Sequence, residues 1–421
     1  MKFAADFHIH SRYSRATSPS MDLESLDKWA RIKGVKVLGT GDFTHPDWLK
    51  SLKEKLEPAE PGLFKLRPDF IGLNGDSGTR FILTSEISCI YSKNGKVRKI
   101  HIIIFSPSFE ICEKINAQLG WIGNLKSDGR PILGLDAKEL AKIVLNISSD
   151  CLVVPAHIFT PWFSIFGSKS GFDTIEECFE DYSKYIYAVE TGLSSDPKMN
   201  WRVSQLDKVA LISNSDSHSP QKIGREANVF DTEISYFKIA EALKSKDPEK
   251  FLYTVEFFPE EGKYHYDGHR ICGIRTSPSE SKKYNNICPV CGNPLTIGVL
   301  NRVEELADRP EGAKPEGAIP FKNLIPLEEI IIDSLGQSSS GKKSIEEYHS
   351  IIRKIGNEFA VLIDASYDDL KKATSPEIAE GIIRAREGKV LIEPGYDGVY
   401  GKIKVFFDKE EKEAIKQNTL F

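Results

Sequence analysis

The stretch DFHIH, Asp6 to His10, decides how the chain is read. Its two histidines stand two residues apart in an apolar run. On a strand they share one face and can grip one ion. Three more islands repeat the theme: GDFTH at Gly41–His45, PAHIF at Pro155–Phe159 and SDSH at Ser215–His218. Together the four hold five of the nine histidines. Imidazole and carboxylate donors suit borderline divalent ions such as zinc and manganese. Islands this far apart in sequence imply one cluster assembled by a fold that gathers strand ends.

Strand-like apolar runs lie between the islands at 35–41, 80–87, 99–105, 151–157, 187–192 and 209–215, separated by helical patterns such as Leu23–Ile32 and Ala137–Leu145. This alternation predicts parallel strands with helical crossovers, in an α/β barrel or an open sheet. In such barrels the functional residues gather at the carboxyl ends of strands. Glu86, His157, Glu190 and Asp216 fall at or just past the ends of their runs. His101 instead sits near the start of its run.

At 421 residues the chain exceeds one ordinary core,. The composition breaks divide it into 1–258, a short module and linker at 259–318, and a helix-rich tail at 319–421. The tail's helices are read from LEEIIIDSLG (327–336), SIEEYHSIIRKIG (344–356) and SPEIAEGIIRAREG (375–388). A net charge of −5 excludes a generally basic nucleic-acid coat but not a local basic channel,. No apolar run reaches membrane-spanning length and the first ten residues lack a signal-peptide pattern, so a cytoplasmic protein without membrane partners is expected. Of seven cysteines, Cys89, Cys112, Cys151 and Cys178 are scattered, as buried reduced thiols would be,.

The other three cysteines form a second constellation. His269-x2-Cys272, a loop, then Cys288-Pro-Val-Cys291 describes a four-ligand structural zinc site, with His265 as an alternative to His269,. GQSSSGKKS (336–344) is a decoy: Lys343 stands where a phosphate loop needs serine or threonine, so no ATP site is expected,. Ser344 with Glu347 reads instead as a helix-capping box. Asp196-Pro197 is either a general base or further ligand, or an N-cap followed by proline. Phe159, Trp162, Tyr396 and Tyr400 are candidate DNA contacts by stacking,. Lys93, Lys96, Arg98 and Lys99 are basic side chains that either touch phosphates or form a solvated turn.

DFHIHS, GDFTH, Glu86, His101, His157 and SDSH resemble the ordered motifs of the PHP (polymerase and histidinol phosphatase) superfamily. That resemblance implies a distorted seven-stranded β/α barrel that binds up to three metals and cleaves phosphoesters. It implies one metal among His8, His10, Glu86 and Asp216, a second among Glu86, His101 and His157, and a third at His45 and His218. The second motif departs from the family: Asp42 and His45 are separated by two residues, so either could be the ligand. Barrel, CPVCG module and a tail ending in GYDGVYG together resemble the endonuclease Q family. The implied activity is a DNA-repair endonuclease nicking 5′ to deaminated bases (hypoxanthine, uracil, xanthine) and abasic sites. Zinc, magnesium or manganese would serve in the barrel, with one structural zinc outside it. The alternatives are a small-phosphoester phosphatase and a non-catalytic DNA scaffold. QNTLF, Gln417–Phe421, resembles a truncated sliding-clamp peptide.

Overall fold

The computed structural model describes residues 1–71 and 78–406, so the clamp-like QNTLF lies outside the described residues. The main sheet is built from β1 (Lys2–Asp6), β2 (Val35–Gly39), β3 (Leu56–Pro58), β4 (Phe64–Leu66), β5 (Arg80–Lys93), β6 (Lys96–Ser106), β7 (Ile132–Leu133), β8 (Leu152–Pro155), β11 (Ala227–Asp231), β12 (Phe251–Glu256) and β15 (Phe321–Asn323). A separate parallel pair, β9 (Ala188–Glu190) and β10 (Ala210–Ile212), completes the first half of the chain. The fold is mixed α/β. Among the described residues no helix is long and apolar enough to cross a membrane.

Parallel pairing holds for β1 with β2 and β2 with β5. It fails at β5–β6 and β6–β8, which are antiparallel. The cause is Asn94-Gly95, where φ is 54° and 72°. Two successive positive-φ residues reverse the chain in a tight hairpin, and no helical crossover is needed. This also accounts for His101. Because β6 runs backwards, its early half lies against the later half of β5, with Ser88 opposite His101 and Glu86 opposite Ile103.

The long hairpin leads to β8, which lies against β9, and the stretch after β10 returns to the end of β1. There the contacts are made by side chains. Asn214 Oδ1 accepts from Phe7 N at 2.9 Å and Asp6 Oδ1 accepts from Ser215 N at 3.1 Å. Ile9 bridges Ser217. The strands are apolar on both faces, as in sheets covered by helices. Around them pack α1 (Leu23–Lys33), α2 (Pro46–Lys55), α3 (Phe109–Leu119), α4 (Ala137–Ile147) and later α7 (Tyr236–Ser245). Each forms for local reasons. In α1, Asp22 caps the start by accepting from Ser25 N, Leu23, Leu26 and Ala30 face the core, and Gly34 ends the helix at φ 88°,. Two short helices, α5 (Ile175–Phe179) and α6 (Pro197–Asn200), fill the later loops.

The cysteine module contains β13 (Asp267–His269), β14 (Ile274–Thr276), α8 (Pro278–Lys283) and α9 (Val299–Leu306). Buried Arg302 of α9 ties it to the first half, donating to Phe166 O and Phe172 O at 3.0 Å each. The chain then returns to the main sheet, where β15 pairs with β12. Next come α10 (Leu327–Ser334), α11 (Lys342–Ile355), a π-helical turn at Ala360–Asp364, α12 (Tyr367–Ala373) and α13 (Pro376–Arg386). A buried knot fixes these helices: Glu358 takes Lys33 Nζ and Tyr348 Oη at 2.5 Å each, and Leu327 N at 3.1 Å. Ser344 is not the N-cap. The helix starts at Lys342 after Gly341, and Ser344 Oγ bonds back to Gly341 N at 2.9 Å. The final hairpin, β16 (Leu391–Glu393) with β17 (Lys402–Lys404), leads into contact with the cysteine module. Gly395 O accepts from Tyr266 N, and Asp397 accepts from Arg270 N.

Candidate metal centre

Strand β1 ends at Asp6, so His8 and His10 lie just beyond it, flanking the Ile9–Ser217 bridge. The extended chain still turns both rings to one side. His8 Nε2 and His10 Nε2 stand 3.6 and 3.1 Å from Asp216 Oδ1. All three atoms are buried without a hydrogen-bond partner. Buried polar atoms are normally paired, and three orphans facing one another are what a cation site leaves. Asp216 reaches this place from a left-handed backbone, φ 45°, after β10.

A second group sits beside the first. Glu86 Oε1 meets His101 Nδ1 at 2.7 Å and His157 Nε2 at 3.1 Å. Its other oxygen faces His10 Nε2 at 3.4 Å and His8 Nε2 at 3.6 Å, so Glu86 touches both groups. Within each set, His8–His10–Asp216 and Glu86–His101–His157, the ligand atoms lie within 4.8 Å of one another. The donors fit divalent ions.

Electrostatics agree. Burial alone would raise Glu86, but His101, Arg130 and His8 outweigh it and hold its carboxyl well below the usual range,. Burial drives His101 down to about 4 despite Glu86, leaving a neutral ring with a lone pair to offer. Burial also opposes charge on His8 and His10. For His8, Glu190, Glu86 and Asp216 prevail, and for His10, Asp42 and Asp216 do, so both rise well above the ordinary imidazole value. A cation entering the cluster would displace those protons.

Two predicted residues serve as orienters. Glu190 receives His8 Nδ1 at 3.0 Å, His157 N at 2.9 Å and Asn214 Nδ2 at 2.9 Å. The sequence expectation makes Glu190 a catalytic residue; its contacts commit the carboxylate to holding rings. Asp42 accepts from Ser11 N and Oγ at 2.7 Å and Ser14 Oγ at 2.8 Å, and meets His10 Nδ1 at 3.1 Å. That fixes the tautomer and aim of His10, a role carboxylates behind metal-binding histidines often take.

His45 precedes α2, stacked on Tyr13 at 4.4 Å, and belongs to neither group. His218 turns Nδ1 onto Asp216 O at 2.9 Å with its ring 4.5 Å from His10. The structure does not gather His45 and His218 into a third set of three donors among the described residues. Asp196 caps α6 by accepting from Met199 N at 2.8 Å, with Pro197 first in the helix. The capping alternative is the one its contacts support.

Of the stacking candidates, Phe159 is fully buried against Phe166 and belongs to the core. It follows His157 by two residues, but the chain bends back inward there. Trp162 and Tyr400 are 51% and 68% exposed. They line one cleft of about 800 Å³ together with Thr160, Tyr264 and Thr296. Thr160 Oγ1 in turn meets His157 Nδ1 at 3.0 Å, so the cleft adjoins the cluster. Tyr396 is half-buried and packs on Gly268, leaving no room there for a Cβ. Lys93 and Arg98 are engaged internally, Lys93 with Glu180 at 2.7 Å and Arg98 over Phe172 at 3.9 Å.

The four ligand atoms of His269, Cys272, Cys288 and Cys291 also converge within 4.8 Å. Against desolvation, backbone N–H groups of Cys291 and Val290, with the Cys291 and His269 side chains, bring the Cys288 thiol down to about 6. This set fits a tetrahedral zinc site, zinc binding thiolates. His265 is excluded from it. It lies buried against Tyr266, outside the four-donor set, and burial lowers it to about 4.

Sequence reading missed Arg130. Its Nη1 donates to Glu86 Oε2 at 3.0 Å. The only sequence cue is the turn-forming Asp-Gly-Arg-Pro run at 128–131.

The fold and its paired ligand groups define a metal-dependent hydrolase. Comparison with known proteins narrows this. The structure of the lesion-specific endonuclease PfuEndoQ from Pyrococcus furiosus superposes with a TM-score of 0.85 at 30% identity, over 98% of this chain and 99% of that one. The structure of endonuclease Q with a 27-mer duplex carrying an abasic lesion at the active site gives 0.83 at 31% identity, over 97% and 98%. The chain belongs to the endonuclease Q family. Residues 326–389 match the family described as MJ0043 C-terminal domain. An uncharacterized protein, MJ0043 of Methanocaldococcus jannaschii, is 38% identical over 253 residues, 58% of this chain but only 31% of that longer protein.

Proposed function

We propose that this protein is a DNA-repair endonuclease that hydrolyses the phosphodiester on the 5′ side of a damaged nucleotide, using divalent ions held by the two ligand groups. The observation that carries the reading is the shared carboxylate of Glu86, standing between two converging sets of buried donors on a fold that follows endonuclease Q over its whole length. In this reading β1, β2, β5, β6, β8, β9 and β10 make the seven-stranded PHP barrel. Residues 1–258 cut, the module at 259–318 is stapled by one zinc, and 319–421 helps hold the duplex.

Ions in the two groups would supply an activated water and charge to oppose the phosphate, as in two-metal sites. Zinc, magnesium or manganese all suit the donors. His8, His10, Asp216, Glu86, His101 and His157 hold them, while Glu190 and Asp42 lock the rings in place. The water oxygen bonds to phosphorus and the bond to the 3′ oxygen breaks. That oxygen leaves with a proton as a hydroxyl, and the phosphate stays 5′ on the damaged nucleotide. Deaminated bases and abasic sites pair weakly, so turning such a nucleotide out of the helix costs less than for a normal one. The cleft between Trp162, Tyr264 and Tyr400 is where the extruded residue would stack. The four scattered cysteines, Cys89, Cys112, Cys151 and Cys178, are buried free thiols, which supports action in the reducing cytoplasm,.

The test uses labelled duplexes carrying one deoxyinosine, deoxyuridine or abasic site, and an undamaged control, in magnesium or manganese. A single nick leaving 3′-hydroxyl and 5′-phosphate ends on the damaged duplexes alone is expected. Equal cutting of the control, or no cutting, overturns the repair reading.

A further inference from the structure

We propose that Arg130 is the phosphate-holding residue of this centre: its guanidinium grips the scissile phosphodiester and stabilises the charge that builds there as the bond to the 3′ oxygen breaks. The inference rests on the reading above, that the cluster cleaves phosphodiesters.

Arg130 is, among the described residues, the one lysine or arginine whose side chain pairs with a carboxylate of the two groups. It does so at the shared oxygen side of Glu86, and its side chain remains 27% exposed, so it reaches from the surface into the centre. The chain on either side is pinned. Asp128 Oδ1 accepts from Arg130 N at 3.1 Å and Arg15 N at 3.4 Å. Gly129 N donates to Tyr13 O at 2.9 Å and Pro131 O accepts from Ser88 N at 3.0 Å. Gly129 itself is wedged so tightly that a Cβ would stand 2.3 Å from Asp42 Oδ2 and from Ser14 Oγ. A loop fastened this way, and packed against the same carboxylate that orients His10, delivers one side chain to one place.

The partner seen for that side chain is provisional on chemistry. Glu86 already meets His101 and His157 through Oε1 and faces His8 and His10 through Oε2. With cations in both groups its charge is spent, and the positive guanidinium is repelled from them. A phosphodiester bound at the same point offers two unesterified oxygens in the planar geometry that arginine matches bidentately. As hydrolysis proceeds those oxygens gain charge, so a donor aimed at them lowers the barrier more than it strengthens ground-state binding. Lysine could supply charge but not the fork.

Three measurements on the full chain test this. Arg130→Ala and Arg130→Lys are compared with wild type for cleavage of abasic duplex, for duplex affinity by anisotropy in calcium, and for bound metal by elemental analysis. Cleavage of the activated diester bis(p-nitrophenyl) phosphate is followed in parallel. The expected result is a fall in kcat on the order of 10²–10³-fold for Arg130→Ala on both substrates. Duplex affinity and metal content should stay within about threefold of wild type. Partial recovery of Arg130→Ala by added guanidinium, but not by ammonium, is also expected. A kcat within about threefold of wild type, or a loss that tracks missing metal, overturns the proposal. If wild type cleaves the small diester but ignores lesions, the repair reading falls while the Arg130 test still stands. If it cleaves neither, both fall.

Discussion

The two candidate metal sites of this chain are built in opposite ways. The first centre draws its ligands from His8 to Asp216, Glu86 and His101 from within β5 and β6 and the others from just past strand ends, and backs its rings with further carboxylates. The cysteine module draws its four ligands from His269 to Cys291, within one short loop system. Around it Ile271 and Val290 are 85% and 66% exposed, so it has little apolar core to stand on. The first site is a property of a folded scaffold. In the second, a bound ion would itself be the scaffold,. Hydrophobic burial holds the barrel donors in place before any ion arrives, whereas small cysteine modules gain their folding energy from the ion itself.

The largest effect should come from cutting into the first site. Asp216→Ala should lower cleavage of lesion duplex by at least about 10³-fold while thermal unfolding of the barrel shifts little, since a solvent-reachable ligand leaves no cavity behind. Steady-state kinetics with differential scanning calorimetry decide this, and wild-type activity in the variant would remove Asp216 from the centre.

The contrast is sharpest for Cys288→Ser. We expect loss of the bound zinc and of amide protection across residues 267–298, with protection in β5 and β6 kept. Hydrogen exchange read by mass spectrometry would show it. Retained protection in the module would mean that packing holds it up and the contrast is false.

Glu190→Gln probes whether the backing carboxylate matters as much as the ligands. Metal affinity should drop about 10- to 100-fold, the usual cost of losing such a partner. Titration with a competing chelator gives the number, and an unchanged affinity would make Glu190 a packing residue.

The smallest effect is a pH dependence carried by β12 of the main sheet. Burial, with Asp196 nearby, pushes Glu256 up to about 8, against hydrogen bonds from Thr254, Thr191 and Ser213. Its folded value lies above its unfolded value, so stability is full below the ordinary carboxyl range and is lost as pH climbs through about 8,. In that window the folded state keeps a proton that the unfolded chain has lost, so stability falls as pH rises,. Urea unfolding from pH 5 to 8 should therefore show declining stability that Glu256→Gln flattens, and identical slopes would refute the assignment.

Most of the scaffold was legible because its signals are local. Apolar runs at 80–87 and 99–105 and the capped helix after Asp22 say strand and helix by themselves. The direction of β6 was not, since it rests on two residues, Asn94 and Gly95, whose backbone reverses the chain. At the centre, the histidines announced themselves by chemistry, and the family resemblance grouped them. What sequence left open was the division of labour among carboxylates. The resemblance already set Glu86 between both groups, but nothing in the string tells that Glu190 backs their rings or separates Asp42 from His45. That depends on which oxygen faces which ring. Arg130 was invisible for the same reason, an arginine in a polar turn being ordinary until the fold brings it to Glu86.

The route of the chain past the cysteine module has a temporal side. Residues 267–298 precede Gly395 and Asp397, which receive the N–H groups of Tyr266 and Arg270, by about a hundred positions, with α10 to α13 between. On the ribosome the barrel strands and the zinc ligands emerge well before this strap. The newborn chain thus holds the donors of both groups and an unfastened module while the helices are still being made. The β16–β17 hairpin then ties the module down, so the strap follows the part that it steadies.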